Sequence, residues 1–385
     1  MTKQSLPYGL WQSPISPAML AGGIRLNDVQ WSADGEFLVW SQSQDGKTSL
    51  FAKLARDAAF DLSGELNPSG GVGYGGGDFF AGRQGAVICD RSGQLFFKSY
   101  GAGLARPITP AFGACASPVI TPDERFVIYV HTCENKDVLA IVPMDGSAWP
   151  KILQQGADFY MQPTVSPDGR RLAWVEWDHP NMPWDGARLL LARLDAEAGS
   201  LSELTLLDGD EKVPVFQPTF SPDGSSLAWL SNHGEWDQLK LLDLASGKVE
   251  TLTDERVLLP PAWVQGVRAL AWSADSRELF FLENQFARTS LHAISISGRE
   301  IRNVPLAPFT LIEQPCISAK GEVALIAQSA AKPPSVLRIA GGEMEVVARS
   351  QSEVLPAAFL SQPKAIAWLS SDGVEVHGLY YPPAN

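Results

Sequence analysis

Features that define several large protein classes are missing from this sequence of 385 residues. It has no run of 18 apolar residues, so we expect no membrane-spanning segment, and its first eight residues lack the apolar core of a signal peptide. Lys and Arg do not cluster, and the formal net charge of −13 argues against nucleic acid or an anionic membrane as a partner. Helical periodicity is nearly absent, which indicates an all-β protein.

Patterns that bind metals or phosphates are also missing. The five histidines form no paired motif, and the four cysteines have no short spacing, so we expect no metal and no cofactor. The cysteines are typical of reduced, mostly buried strand residues in a cytoplasmic protein. A glycine-rich stretch, Gly70–Gly77, lacks the Lys-Ser/Thr pair of a phosphate-binding loop and precedes no predicted helix.

What the sequence does have is a repeated turn. Ser166–Gly169 and Ser221–Gly224 are both Ser-Pro-Asp-Gly, they lie 55 positions apart, and each is followed after two residues by Leu-Ala-Trp. In such a turn Pro presets φ near −65°, and Gly at the last position adopts the backbone conformation that ends the turn without a steric penalty. The pattern therefore predicts a hairpin between two strands. Weaker copies of the turn begin at Ser32, Thr121, Ser273 and Ser318.

Alignment of these turns divides the chain into seven units, each with room for four short strands. The second unit has lost the turn, and Gly82–Gly85 stands in its place. Repeats of this length predict a seven-bladed β-propeller of four-stranded antiparallel blades, because the alternative, a β-solenoid, has much shorter repeats. The predicted boundaries are residues 1–25 for an N-terminal extension, 26–353 for the propeller and 354–385 for a following segment that contains a hairpin.

Four segments resemble bacterial serine peptidases of the prolyl oligopeptidase family, in the branch described as dipeptidyl aminopeptidases or acylaminoacyl peptidases. They are Tyr8–Ile15, Tyr74–Phe79, Trp177–Gly186 and Asp372–Pro383, of which the third is the most specific. The resemblance implies a propeller that covers an α/β-hydrolase domain and admits peptides but not folded proteins. It further implies that 354–385 is a linker and the first hairpin of that domain, and that the sequence stops within a longer protein.

The sequence contains no Gly-x-Ser-x-Gly nucleophile elbow and no His-Gly-Gly oxyanion motif. We therefore expect the chain to be catalytically inert by itself, with its own C-terminal α/β-hydrolase domain and peptide substrates as partners. The alternative is a free-standing propeller that binds a protein or peptide as a scaffold. The reading frame after residue 385 distinguishes the two hypotheses, because only the first requires a nucleophile elbow there.

Two clusters are candidate functional residues. The fourth unit carries an insertion at Glu176–Gly186, about ten residues longer than a hairpin needs. By the resemblance, its acidic side chains would bind the amino terminus of a peptide and its Trp side chains would form apolar walls; the residues are Glu176, Trp177, Asp178, Trp184 and Asp185. The alternative is that this loop packs on the hydrolase domain or on the propeller rim, with its aspartates capping turns.

The second cluster is expected to contact the hydrolase domain and comprises Tyr74, Gly75, Gly76 and Gly77. Its glycines predict a close approach of two backbones at the start of an inner strand. Two further segments are interpreted as structural: His233 and Glu235 as residues of the rim, and Trp263–Gly266 as packing before the next blade.

Overall fold

The computed structural model describes residues 22–54, 57–351 and 355–383, together with Pro7, Pro14 and Ser16. It contains seven four-stranded antiparallel sheets, each made of four consecutive strands, and one separate hairpin. The predicted seven-bladed β-propeller is therefore confirmed. Most of the predicted extension, and all of the Tyr8–Ile15 segment except Pro14, lie outside the described residues.

The seven blades follow one another along the chain, and their boundaries agree closely with the seven aligned units. The first blade comprises β1 (Arg25–Trp31), β2 (Phe37–Gln44), β3 (Lys47–Leu54) and β4 (Phe60–Asp61). The second comprises β5 (Phe79–Ala81), β6 (Gly85–Cys89), β7 (Leu95–Ser99) and β8 (Arg106–Pro107). The third comprises β9 (Ala114–Ile120), β10 (Phe126–Cys133), β11 (Lys136–Pro143) and β12 (Lys151–Gln154). The fourth comprises β13 (Phe159–Val165), β14 (Arg171–Trp177), β15 (Arg188–Asp195) and β16 (Ser200–Asp208).

The remaining blades and the hairpin complete the described part of the chain. The fifth blade comprises β17 (Val215–Phe220), β18 (Ser226–Ser231), β19 (Asp237–Asp243) and β20 (Val249–Arg256). The sixth comprises β21 (Leu270–Trp272), β22 (Glu278–Gln285), β23 (Arg288–Ser295) and β24 (Ile301–Val304). The seventh comprises β25 (Leu311–Ile317), β26 (Val323–Ser329), β27 (Lys332–Ala340) and β28 (Glu343–Arg349). A short 3-10 helix (Ala357–Phe359) precedes the hairpin of β29 (Lys364–Leu369) and β30 (Glu375–Tyr380).

The repeated turn joins the first and second strands of a blade through side-chain hydrogen bonds. In the fourth blade the Ser166 hydroxyl donates to Asp168 Oδ1 at 2.5 Å and accepts from the Arg171 N–H at 2.9 Å. Asp168 Oδ1 also accepts from the Arg170 N–H. Burial alone would raise the pKa of Asp168, but these donors hold it below its usual value. The Ser221 turn repeats these contacts with Asp223.

A second repeated feature, a bulge that precedes a proline, lies in the innermost strands. Ser117, Gln162, Gln217 and Gln314 each have positive φ at a bulge, and each precedes a proline. At three of these bulges the glutamine amide bonds the backbone of a neighbouring blade. Gln162 Oε1 accepts from the Gln217 N–H at 2.8 Å, and Gln217 Oε1 accepts from the Ala269 N–H at 2.6 Å. These amides join the blades around the central tunnel.

The ring closes by packing between the first and seventh blades. Each described blade uses four consecutive strands, so no strand is exchanged between these two sheets. Val29, Trp40, Ala324 and Ile326 are buried together across this junction. Most core side chains lie between blades in the same way, and Trp174 and Trp229 are fully buried there.

The hairpin β29–β30 has many exposed apolar side chains. Trp368, Leu369, Val374 and Tyr380 all have exposed side chains. The hairpin was expected from the sequence at these positions and is confirmed as a hairpin. Its assignment to an α/β-hydrolase domain stays a prediction.

Candidate functional site

The candidate residues lie on one face of the propeller. All first strands run in the same direction, so the repeated turns lie on one face, which we call the lower face. The connections 62–78, 178–187 and 257–269 lie on the opposite face, which we call the upper face. Long connections on a rigid scaffold are the usual place for binding residues.

Three aromatic side chains from these three connections meet on the upper face. The Trp263 ring centroid lies 4.5 Å from that of Trp184 and 6.1 Å from that of Tyr74. Tyr74 and Trp263 are 73% and 55% exposed, so the group is open to solvent. The structure thus brings the two predicted clusters together through Trp263, a residue that the sequence indicates only as packing before the next blade.

A cavity of about 930 Å³ lies beside this aromatic group. Its walls come from the first, sixth and seventh blades and from the connections 68–78 and 257–269. Apolar walls are contributed by Val257, Pro261 and Ile312. The cavity is also lined by charged residues of both signs, which are Arg25, Asp28, Asp78, Arg268 and Glu313. A volume of this size is typical of a site for a small organic molecule or a short peptide.

Two of the predicted acidic residues are engaged with the rest of the fourth blade. Glu176 and Trp177 lie in strand β14 rather than in the loop, because β14 pairs with β15 as far as Glu176 and with β13 as far as Trp177. The buried Glu176 carboxylate accepts from Trp174 Nε1 at 2.8 Å and lies 3.4 Å from Arg188 Nη2. Asp178 lies 2.7 Å from the same Arg188 nitrogen. Arg188, which sequence reasoning missed, therefore forms ion pairs with both carboxylates.

The loop 178–187 itself is fixed to the neighbouring connection and presents its tip to solvent. Asn181 Nδ2 donates to the Glu211 carbonyl at 2.7 Å, and a Cβ at Gly186 would lie 2.3 Å from the Glu211 backbone. Trp177 is buried against Phe159, whereas Trp184 is half-buried and Asp185 is exposed. Asp185 is the most exposed of the five predicted residues, and its Oδ2 accepts from the Met182 N–H at 2.9 Å, as the turn-capping alternative expects. Its other carboxylate oxygen and the half-buried Trp184 ring are available to a ligand.

The predicted close approach of the glycine-rich segment is present. Gly76 pairs with Gln265 as a parallel bridge, and a Cβ at Gly76 would lie 2.3 Å from the Gln265 carbonyl oxygen. Gly77 has φ of +64°, and a Cβ there would lie 2.6 Å from Ser117 Oγ. These glycines are required by contact and conformation, and they hold Tyr74 at the edge of the upper face.

Asp78 follows these glycines and lines the cavity. Burial raises the pKa of its carboxyl to about 6, although the Gly70 N–H that donates to it has the opposite effect. A native pKa above the unfolded value means that the native state binds more protons between about pH 4 and 6, so this group lowers stability as the pH rises through that range.

We therefore expect Asp78→Asn to stabilise the protein at pH 8 and to be neutral at pH 4. The gain should be about 1–2 kcal/mol, since a tenfold change in proton affinity corresponds to about 1.4 kcal/mol and solvent reaches part of the side chain. Urea unfolding at both pH values measures this difference. Asn284→Ala, at an exposed position that lines the same cavity, is the control: neither side chain titrates, so its effect should be the same at both pH values.

One serine, histidine and carboxylate lie together in the sixth blade. His292 Nε2 is 3.0 Å from Ser290 Oγ and 3.2 Å from Glu283 Oε2. A serine–histidine–acid relay uses both ring nitrogens, one for each partner, so this group lacks the required geometry. Burial lowers the pKa of His292, against the opposing effect of Glu283.

Metal-binding clusters and membrane-spanning helices are both absent from the residues placed by the structure. Within those ranges, no group of three or more His, Cys, Asp and Glu side chains is arranged to hold a metal ion. No helix in the same part of the chain is long and apolar enough to cross a bilayer.

The known proteins that this chain resembles are peptidases and a puromycin hydrolase. No family model matches the sequence. A puromycin-hydrolyzing peptidase of Mycobacterium tuberculosis superimposes on 100% of the chain with a TM-score of 0.88 and 24% identity, and a puromycin hydrolase on 99% with a TM-score of 0.87 and 26% identity. Dipeptidyl-peptidase 5 of Porphyromonas gingivalis is 36% identical over 146 residues, which are 36% of this chain.

These relatives are longer than the present chain. It spans 62% of the length of each of the two structures, and the aligned residues cover 20% of the dipeptidyl-peptidase. The chain matches the propeller part of peptidases of the prolyl oligopeptidase family, which confirms the resemblance predicted from the sequence.

Proposed function

We propose that this chain is the propeller part of a cytoplasmic serine peptidase. Its upper face meets a catalytic α/β-hydrolase domain, restricts that domain to peptides and contributes side chains to substrate binding. By itself the chain hydrolyses nothing. The observation that carries the proposal is the group of Tyr74, Trp184 and Trp263, which are partly or largely exposed beside a cavity on a single face.

Exposed aromatic groups of this kind on a soluble domain mark a surface that contacts another molecule. The exposed apolar side chains of β29–β30 support the same view, because such a hairpin requires cover from further protein. The four cysteines are free, which fits the reducing conditions of the cytoplasm.

Within this proposal Trp184 and Asp185 contact the substrate. Asp185 offers a carboxylate to a peptide ammonium, and a charge-assisted hydrogen bond of this kind contributes roughly 1.5–3 kcal/mol. Glu176, Trp177 and Asp178 support the loop from below, through Arg188 and Phe159. Tyr74 and the three glycines that follow it contact the hydrolase domain.

A fluorophosphonate probe, which labels activated serines, tests the proposal. We expect the 385-residue chain to remain unlabelled and to leave aminoacyl and acyl-peptide nitroanilides uncleaved. The product of the longer reading frame should be labelled at a serine after Asn385. A stop codon directly after Asn385 would instead support a free-standing scaffold.

Labelling within the 385 residues would contradict the proposal. Ser290→Ala is the matched control, because Ser290 is the serine that lies beside His292 and Glu283. The expected result is that this substitution changes neither labelling nor turnover of the longer protein.

A further inference from the structure

One short segment crosses the upper mouth of the central tunnel. We call Val264–Arg268 the axial segment; it belongs to the connection that leads into the sixth blade. Gln265 Nε2 donates to the Tyr160 carbonyl in the fourth blade at 2.8 Å, and Ser117 Oγ in the third blade donates to Gln265 Oε1 at 2.9 Å. Gln265 thus reaches first strands that lie across the ring from its own blade.

Other residues of the axial segment are bonded to further blades. Gln162 Nε2 donates to the Val267 carbonyl at 2.9 Å, and Gln314 Oε1 accepts from the Arg268 N–H at 2.8 Å. The Arg268 guanidinium lies 2.6 Å from Asp28 in the first blade. Because the first strands surround the tunnel, a segment bonded to the first, third, fourth and seventh blades must span its mouth.

The glycine-rich segment Gly70–Gly77 packs against the axial segment at the upper mouth of the tunnel. The Gln265 N–H donates to the Gly75 carbonyl at 2.8 Å, and Gly76 is in backbone contact with Gln265. A Cβ at Gly266 would lie 2.8 Å from Gly77. The two backbones are therefore in van der Waals contact, and the Gln265 side chain beneath them is buried.

We propose that the axial segment seals the tunnel at the upper face, so that the cavity beside it is blind and peptides enter it only from the side. This inference rests on the proposed function, in which the upper face meets the catalytic domain. The propeller then restricts substrates by covering the active site and not by threading them through its tunnel. The seal is a fixed wall, held by hydrogen bonds to several blades, and no opening of it is needed for turnover.

Hydrogen exchange of the 385-residue chain tests the seal without any peptidase activity. We expect fragments that contain the Gln265 and Arg268 amides to exchange at least about 100-fold more slowly than the exposed loop 232–236, because opening requires loss of contacts to several blades. Exchange of both at the same rate would overturn the proposal.

A matched pair of glycine variants tests the backbone contact between Gly76 and Gln265. Gly76→Ala places a Cβ 2.3 Å from the Gln265 carbonyl and should raise exchange of the axial segment at least tenfold. Gly73→Ala introduces a similar left-handed strain, with φ of +57°, but meets nothing within 4 Å. It should leave the segment protected; equal exchange in the two variants would show that this contact does not hold the seal.

Cross-linking in the longer protein tests whether peptides reach the cavity without passing through the tunnel. A Ser117→Cys/Gln265→Cys pair, bridged by a short bis-thiol reagent, fixes the axial segment to the third blade. Turnover of peptides should stay within about twofold of the Ser117→Cys protein treated with the same reagent. Loss of turnover on bridging would show that the segment must open. If the unbridged protein has no peptidase activity, it is the proposed function that fails and not the seal.

Discussion

Replacement of Trp229 by alanine should lower the free energy of unfolding by about 3–5 kcal/mol, the range observed when large aromatic side chains are removed from a core. Trp229 is fully buried between blades, and its Nε1 donates to Asp208 Oδ2 at 2.6 Å. Burial by itself would raise the pKa of Asp208, but the Trp229 and His233 donors hold it below its usual value. The substitution removes both the packing and one of these donors.

Unfolding in urea, followed by circular dichroism, measures this loss. Trp229→Phe retains most of the packing and removes only the N–H, so we expect it to cost about 1–2 kcal/mol. Trp236→Ala, at a position in the same blade where the side chain is 43% exposed, should cost less than about 1 kcal/mol. A loss for Trp229→Ala no larger than that for Trp236→Ala would contradict the assigned packing between blades.

A second large loss in the free energy of unfolding is expected for Arg188→Met. Arg188 is the partner of Glu176 at 3.4 Å and of Asp178 at 2.7 Å, and the Glu176 side chain is only 8% exposed. Removal of one partner from a buried ion pair costs about 3–5 kcal/mol; because solvent reaches part of Arg188, we expect about 2–4 kcal/mol here. Thermal and urea unfolding at pH 7 measure the change.

A double variant separates charge from packing. Glu176→Gln keeps the shape of the side chain but removes the charge that Arg188 neutralises. The pair Glu176→Gln/Arg188→Met should therefore be more stable than Arg188→Met alone, by at least about 1 kcal/mol. If adding Glu176→Gln did not restore any stability to Arg188→Met, Arg188 would stabilise the fold by packing and not by pairing with the Glu176 charge.

The sequence was sufficient to predict the blades because their signals are local. Each turn such as Ser166–Gly169 lies within a few residues of the strands that it joins, so seven units could be aligned and the strand Lys364–Leu369 assigned. The repeated Gln-Pro pairs at Gln162, Gln217 and Gln314 were equally visible in the sequence. They mark the bulges of the first strands and could have been found by the same alignment.

The arrangement of the upper face could not be predicted in this way. Trp263 meets Tyr74 and Trp184 although the three belong to different blades, and no spacing in the chain encodes that contact. The pairing of Glu176 with Arg188 likewise depends on the register between β14 and β15. The aromatic contacts follow from how the blades are arranged around the ring, and the Glu176–Arg188 pair follows from strand register within one blade. The length of each unit specifies neither.

The most direct test of the account is the KM of the longer protein for short peptides with a free amino terminus. We predict that Asp185→Asn raises this KM at least about fivefold with little change in kcat, since it weakens one charge-assisted contact. Peptides with an acetylated amino terminus should be unaffected, as should the Trp149→Ala protein, changed at an exposed position of the lower face. An unchanged KM for free-amine peptides in Asp185→Asn and in Trp184→Ala would contradict the assignment of the upper face to substrate binding.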